Sequence, residues 1–494
     1  MEKHGVSVGV LGAGLSGLLM GIRLKQAGHD NFVIYEKSGD VGGTWKHNTY
    51  PGLHCDVPSH LYSYSFEPNP EWTRPFASQP EIQSYFRHCA EKYGLLEHLR
   101  LGVTIDTVRY HSEDGSWELK TADGETIRHR VLVSATGGLT APGFPRIGGL
   151  DVFKGPLWHS GAWRHGFDLT GKRVAVIGSA ASAVQVIPQV ASRAKELFVF
   201  QRDPNWVMPR NNGPYTGAMK EAFRDPATGA LARHRRALYR NTLFTYKVFK
   251  RNARAIAIMR HIALRHMQSA ISDPEMIAKL TPAYDPGCKR LLVSDDYYPA
   301  FAMEHVHLID SGVEKLTESS VVAADGRVAE VDVIIFCTGY KLGAREDGSP
   351  AVEVFGRDGL PLTQALRKSP EAYRGVAIPG FPNYFTIVGI NGAVAYTSLF
   401  YSAEVHVNYI LKWIQRIAEK NLLSVEARVG PTHVYNEAIQ GELQKMSWST
   451  GCTNFYLDRT GRNVSFYPGT LGRMRRELHD LLLEDYVVEH PAAR

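Results

Sequence analysis

The feature that most narrows the fold is a strand–turn–helix pattern that occurs twice. The first copy runs "VSVGVLGAG", reaches the turn Gly12-Ala13-Gly14-Leu15-Ser16-Gly17, and continues into the apolar helical stretch "LLMGIRLKQAG". The next strand-like run, "NFVIYEKS", contains Glu36, 19 residues beyond Gly17. A strand feeding a GxGxxG turn and a helix, with an acid at that distance, is the dinucleotide-binding fingerprint. Gly12, Gly14 and Gly17 allow a tight turn and close backbone approach to a pyrophosphate. The helix N-terminus offers free N–H donors and the positive end of its dipole, and Glu36 can accept from ribose hydroxyls.

The second copy is built to a different specification. "KRVAVIG" leads into Gly178-Ser179-Ala180-Ala181-Ser182-Ala183, then "VQVIPQVASRAKE" and the strand "LFVFQRD". Two glycines have become alanine, which keeps the helix packed close but leaves less room under phosphates. Arg202 stands where the first copy has Glu36. An acid there suits a free 2′-hydroxyl and a base suits a 2′-phosphate. FAD is therefore expected at the first turn and NADPH at the second. Asp203 opposes this, since a carboxylate beside a 2′-phosphate repels it, so NADH stays open. Each copy closes with a buried strand ending in Thr-Gly, "VLVSATGG" (131–138, with Thr136) and "VIIFCTGY" (333–340). Two such units binding one kind of nucleotide is the simpler alternative.

The expected fold is thus α/β, with two Rossmann-like dinucleotide-binding domains, the second carrying a helical insertion. A chain of 494 residues is long enough for two or three cores. The expected division is an FAD-binding part (1–150), a linker (151–170), an NADPH-binding part (171–212), a basic helical insertion (213–283), the remainder of the NADPH domain (284–342), and a return to the FAD domain (343–494).

Charge is unevenly spread. Residues 211–270 hold twelve Lys/Arg against two acids, Glu221 and Asp225, so they carry +10 of a net +6 and leave −4 for the rest. Apolar and basic residues alternate there at helical spacing. The stretch reads as a cap over a substrate cleft, as a solvated basic subdomain, or as an anionic-surface face. With two nucleotide turns present, nucleic acid is not the expected partner. No apolar run is long enough to span a bilayer, and the N-terminal stretch lacks signal-peptide regions, so a cytoplasmic protein is expected. Cys55, Cys89, Cys288, Cys337 and Cys452 form no CxxC pair. This argues against zinc fingers and dithiol redox motifs, and an odd, scattered set fits reduced thiols.

Two further signatures carry a resemblance. Between the turns lies "FKGPLWHSGAW", in which Phe153, Gly155, His159 and Trp163 fit an FxGxxxHxxxW pattern. Earlier, Gly42, Gly43, Trp45, Tyr50, Pro51, Gly52 and Asp56 fit GGxWxxxxYPGxxxD, followed by "VPSHLYSYSF". The chain resembles the Baeyer–Villiger monooxygenases, class B flavoprotein monooxygenases, nearly end to end. It departs at Arg164, where that family has Pro or Asp after the Trp. It departs again at Gly389–Ala395, which lacks a Gly-Pro-Asn opening, and at Asn454-Phe455, where many relatives carry Ser-Trp.

The resemblance implies an enzyme that uses FAD, NADPH and molecular oxygen. NADPH reduces the flavin, O2 adds to give a C4a-peroxyflavin, and one oxygen atom is inserted into a small-molecule ketone to give an ester or lactone. It implies that Arg290, in "PGCKRLLVSDDYYP", is the fixed positive charge beside the peroxide, oriented by Asp56. It further implies that Lys289 and Arg202 reach the NADPH phosphate and that Ser179, Ala181, Ser182 and Gln185 lie along that cofactor. Thr44 and Trp45 are placed along the flavin, Tyr62 near its ring, and the linker His159 in domain coupling. The alternative is N- or S-oxygenation by the same intermediate, kept open by Arg164. The linker aromatics are equally readable as plain packing of the joint.

Overall fold

The computed structural model describes residues 6–139, 141–341, 345, 349–367 and 369–492. The two glycine turns lie at the centres of two parallel five-stranded sheets. In the first, β1 (Val8–Leu11) pairs with β2 (Phe32–Glu36) on one side and with strand Val131–Ser134 on the other. Strands Leu99–Leu101 and Tyr384–Thr386 complete the edges. In the second, β3 (Arg173–Ile177) sits between β4 (Glu196–Phe200) and strand Val333–Phe336, flanked by Val306–Ile309 and Leu157–His159.

The strand composition explains the architecture. All four residues of β1 and of strand Val333–Phe336 are buried. Continuous apolar strands of this kind need cover on both faces, which parallel sheets obtain from crossover helices. Helix α1 (Leu15–Gln26) covers the first sheet and α2 (Ala181–Ala191) the second. The Thr-Gly strands lie beside their glycine-turn strands, which is why each copy ends in the same way.

Three findings refine the sequence reading. First, part of the stretch expected to be a linker joins a sheet: Leu157–His159 is an edge strand of the second sheet, with His159 level with Phe336. Second, the insertion spans both halves. Helix α3 (Ala230–Phe249) leans on the half built around the first sheet, where Tyr246 donates to the Pro468 carbonyl (3.0 Å), Arg235 donates to the His60 carbonyl (3.0 Å) and Phe249 packs on Trp448. Helix α4 (Ala253–Ala270) buries Met267 in the second core, and His266 bonds the Ser294 carbonyl. Third, the cysteines are not all reduced: Cys288 and Cys452 form a disulfide, while Cys55, Cys89 and Cys337 are free and buried. The two partners stand 164 residues apart, so no local spacing announces them. Helix α5 (Leu399–Glu419) packs against α1 and returns the chain to the first core. Among the described residues no helix is long and apolar enough to cross a membrane.

Four buried histidines set an acid limit on this fold. Burial lowers the pKa of His60 to about 3 and those of His129, His159 and His406 to about 4. An unfolded chain takes protons on these rings near pH 6.5. Because the folded values are depressed, the neutral rings contribute stability that is present above about pH 6.5 and lost as the pH falls toward about 4. The denaturation midpoint is therefore expected to drop between pH 7 and pH 5, measured in denaturant. A midpoint that rose at pH 5 would contradict the burial of these rings.

Candidate functional site

The first turn is closed by contacts that leave no room for side chains. Gly12 sits at φ +101°, and a Cβ there would lie 2.6 Å from the Ala135 carbonyl oxygen. A Cβ on Gly17 would lie 1.7 Å from the Gly12 carbonyl oxygen, and one on Gly43 would lie 3.0 Å from the Cα of Gly14. Helix α1 starts after Gly14 with no side-chain cap. Its first N–H groups and positive dipole end therefore face the turn, as a pyrophosphate requires. Glu36 ends β2 and is buried. Its Oε2 accepts from the Ala13 N–H, and its Oε1 from the N–H and hydroxyl of Ser38, each at 2.9 Å. A carboxylate has further lone pairs for ribose hydroxyls.

The other residues expected at this cofactor follow from the same turn. Thr136 lies beside Gly12, its Cα 3.3 Å from the position of a Gly12 Cβ. Thr44 opens the short helix Thr44–His47 directly after Gly43. The Trp45 indole donates to the Tyr62 hydroxyl (2.8 Å), and the two rings meet edge-on at 5.6 Å. Tyr62 lies within electrostatic reach of Asp56 and Arg290. The glycine cradle, the uncapped helix and the buried acid fit an FAD.

At the second turn Gly178 has φ +120°, and a Cβ would lie 2.4 Å from the Cys337 carbonyl oxygen. Helix α2 also begins without a side-chain cap, after Ala180, with Ala181 exposed at its start. The Ser179 hydroxyl donates to the Asp203 carbonyl (2.9 Å), and Asn205 donates to the Ser179 carbonyl (2.9 Å). These bonds tie the turn to the end of β4. Ser182 lies beside the Tyr50 hydroxyl. Arg202 Nε and Lys289 Nζ each stand 3.5 Å from Asp203 Oδ2. The opposing acid is thus flanked by two cations, and the group carries a net positive charge. The donor set fits a phosphorylated dinucleotide.

Arg290 and Asp56 join the two halves. Arg290 Nε and Nη2 donate to Asp56 Oδ2 and Oδ1 at 2.5 and 2.6 Å, a two-pronged, charge-assisted pair. The carboxylate raises the Arg290 pKa far above its ordinary value, so the guanidinium stays charged. The Arg290 side chain keeps 46% of its surface accessible, so the charged pair is open to a ligand. Gln185, on α2, also bridges the two halves, beside a crevice lined by His54, Arg74, Arg210 and Asp295. Its amide donates to the His54 carbonyl (2.9 Å), two residues before Asp56, and accepts from the Tyr50 hydroxyl (3.1 Å).

Sequence reasoning missed Tyr456, and it named Tyr50 only as part of a signature, without its bond to Gln185. Tyr456 is buried against Arg290. Its only sequence signal was its position beside Asn454-Phe455. Asn454 is indeed close to the Arg290 segment, donating to the Trp448 carbonyl (2.9 Å) and the Cys288 carbonyl (3.4 Å), whereas Phe455 points outward, 65% exposed. The linker residues pack on one another and on Tyr340. Trp158 meets Trp163 and Phe167, Arg164 lies over the Trp158 ring, and His159 accepts from the Gly161 N–H and faces Tyr340.

Comparison with known proteins points the same way. A profile described as flavin-binding monooxygenase-like matches residues 5–344. A Baeyer-Villiger monooxygenase from Streptomyces coelicolor is 40% identical, covering 100% of this chain and 94% of its own. Another from Pseudomonas aeruginosa is 41% identical, covering 95% of this chain and 88% of its own. Among solved structures, OTEMO in complex with FAD and NADP superposes with a TM-score of 0.86 at 25% identity, covering 98% of this chain and 99% of that one. Cyclohexanone monooxygenase from Rhodococcus sp. Phi1 bound to NADP+ gives 0.86 at 26%, with the same coverage.

Proposed function

The chain belongs to the flavin-binding monooxygenase-like family, and on that premise we propose that it carries out Baeyer–Villiger oxidation: it consumes NADPH and O2 and inserts one oxygen atom into a small-molecule ketone, giving an ester or lactone. FAD, bound at the first turn and reduced by NADPH, supplies the oxygen-transfer chemistry. The observation that carries the reading is the two-pronged Arg290–Asp56 pair at the crevice between the cofactor turns. In this reading the pair supplies a permanent, oriented positive charge near the Trp45–Tyr62 end of the flavin site.

The chain's own tasks follow from that geometry. Arg290 stabilises negative charge that develops during oxygen transfer, and Asp56 restricts it to one rotamer. A fixed donor aimed at developing charge needs no reorganisation when the reaction occurs. Gln185 and Tyr50 hold the Asp56 loop against α2, so the position of the charged pair depends on how the two halves are set. Helices α3 and α4 touch both halves and serve as the cap that limits water entry. The ketone reading is preferred to N- or S-oxygenation because the full-length relatives are Baeyer-Villiger monooxygenases. The test is product analysis under 18O2. One labelled oxygen in an ester, per NADPH consumed, is expected from a ketone panel. Label found only in amine or sulfide oxides would overturn the reading.

The pair of cations at Asp203 gives a separate prediction. Charge-assisted contacts to a phosphate are worth about 1.5–3 kcal/mol. Arg202→Ala and Lys289→Ala are each expected to raise the KM for NADPH by roughly ten-fold or more and to leave the KM for NADH nearly unchanged. Equal shifts for both cofactors would remove these residues from the 2′-phosphate site.

A further inference from the structure

We propose that Cys288 and Cys452 are a reversible dithiol/disulfide pair, a redox strap that fastens the C-terminal loop onto the segment carrying Lys289 and Arg290. Cys288 is fully buried and immediately precedes Lys289 and Arg290. Cys452 is half-buried on the loop between Trp448 and Tyr456. Their Cα atoms are 6.2 Å apart, within the span a disulfide bridges without backbone movement. The bond joins the second dinucleotide unit to the C-terminal return, which otherwise meet here through hydrogen bonds from Ser447, Thr450, Asn454 and Tyr456. Ser447 donates to the Gly287 carbonyl (2.8 Å) at the start of the loop, and Asn454 reaches the Cys288 carbonyl at 3.4 Å. Beyond Cys452 the loop presents Phe455 to solvent before Tyr456 returns against Arg290. Opening the disulfide removes the covalent tie between the loop and the Arg290 segment.

The other thiols do not compete for this chemistry. Cys55, Cys89 and Cys337 are buried with no partner thiol, and burial pushes Cys89 and Cys337 up to about 12 and Cys55 higher still. Thiols held protonated in this way are poor nucleophiles. Cys452 is the accessible member of the pair and the entry point.

The redox step balances with a hydroperoxide as oxidant. The Cys452 thiolate attacks a peroxide oxygen, the O–O bond breaks, and the leaving hydroxide takes up a proton as water, giving a sulfenic acid. The Cys288 sulfur then attacks the Cys452 sulfur, and the expelled hydroxide leaves with the Cys288 proton as a second water. Two thiols and one hydrogen peroxide thus become one disulfide and two waters. In reverse, one thiol of a dithiol reductant attacks Cys452. A mixed disulfide forms, the reductant's second thiol resolves it, and both cysteines return as thiols while the reductant becomes a disulfide.

In the disulfide state the loop is held over the Arg290 segment and the crevice closes on its nucleotide. In the dithiol state the loop detaches and the nucleotide leaves more readily. The nucleotide arm of the test rests on the proposed function, and the other arms do not. The flavin-loaded full-length chain is treated with hydrogen peroxide or with dithiothreitol. Thiols titrated after denaturation should number three in the first sample and five in the second, as the five cysteines and one disulfide require. Chymotryptic cleavage after Phe455 should accelerate about five-fold or more on reduction, because local opening governs cleavage. The NADP+ dissociation constant, read from flavin absorbance, should rise by a similar factor. Cys452→Ser, a half-buried loop position, should behave as the reduced protein with or without dithiothreitol. Five thiols in both samples, or identical cleavage rates, would overturn the strap. Faster cleavage with an unchanged NADP+ constant would overturn its effect on the crevice. Redox-dependent cleavage with no NADP+ binding in any state would leave the strap standing and count against the proposed function instead.

Discussion

Arg290→Ala is expected to abolish oxygenation while leaving anaerobic reduction of the flavin by NADPH close to the wild-type rate. The two half-reactions separate because Arg290 is assigned to charge that develops only when oxygen is transferred. Removing one such fixed donor typically raises the barrier by about 3–4 kcal/mol, or roughly a hundred- to a thousand-fold in rate. The loss should be at the upper end, since the substitution also leaves the Asp56 carboxylate without its two-pronged partner in the crevice. Arg290→Lys keeps the charge but not the planar fork that engages both Asp56 oxygens, so it should fall between alanine and wild type. Asp56→Ala should resemble it, because the cation remains but samples several rotamers. The checks are single-turnover reduction by flavin absorbance and ester yield by gas chromatography. Ester formation at the wild-type rate in Arg290→Ala would remove the residue from the chemistry.

Gly17→Ala is expected to yield a protein that does not retain FAD. An alanine Cβ would sit 1.7 Å from the Gly12 carbonyl oxygen, well inside van der Waals contact. Both partners are backbone, so no side chain can swing away. The helix must move off the turn, and the N–H groups that face the pyrophosphate move with it. The purified variant should be nearly colourless, with the ratio of 450 to 280 nm absorbance reduced by about ten-fold or more. Gly312→Ala is the matched control. Nothing lies within 4 Å of its Cβ position and its φ is ordinary, so it should keep its flavin. A yellow Gly17→Ala protein with normal flavin content would mean that the pyrophosphate does not sit on α1.

The periodic parts of this fold were legible because their physics is local. A glycine turn, its flanking strand and its helix lie within about thirty residues, and both copies appear where the spacing places them. Glu36 and Arg202 could be read for the same reason. Even the conflict at Asp203 was visible, although its resolution was not. Lys289 comes from a segment 86 residues away; the resemblance implied it at the same phosphate as Arg202, and the folded chain adds that both cations stand against Asp203. The Cys288–Cys452 disulfide was misread by the same logic, since a spacing argument registers only neighbours. The sequence placed His159 and its aromatics in a linker but not in an edge strand, because three residues carry no usable periodicity. Tyr456 went unnoticed because a lone aromatic looks like core until a charged group is found beside it. The insertion read correctly as helical and basic. Its contact with both halves depends on pairs such as Arg235 with His60 and His266 with Ser294, which no helical repeat encodes.

The most direct test of the central claim is a two-step rapid-mixing experiment on the purified yellow protein. The flavin is first reduced anaerobically with one equivalent of NADPH, then mixed with oxygen with and without a ketone, and the products are collected. The account predicts that reoxidation of the flavin is faster with a ketone than without one, and that each NADPH yields close to one ester heavier than the ketone by a single oxygen. Immediate reoxidation with free hydrogen peroxide and no ester, whatever ketone is present, would contradict it.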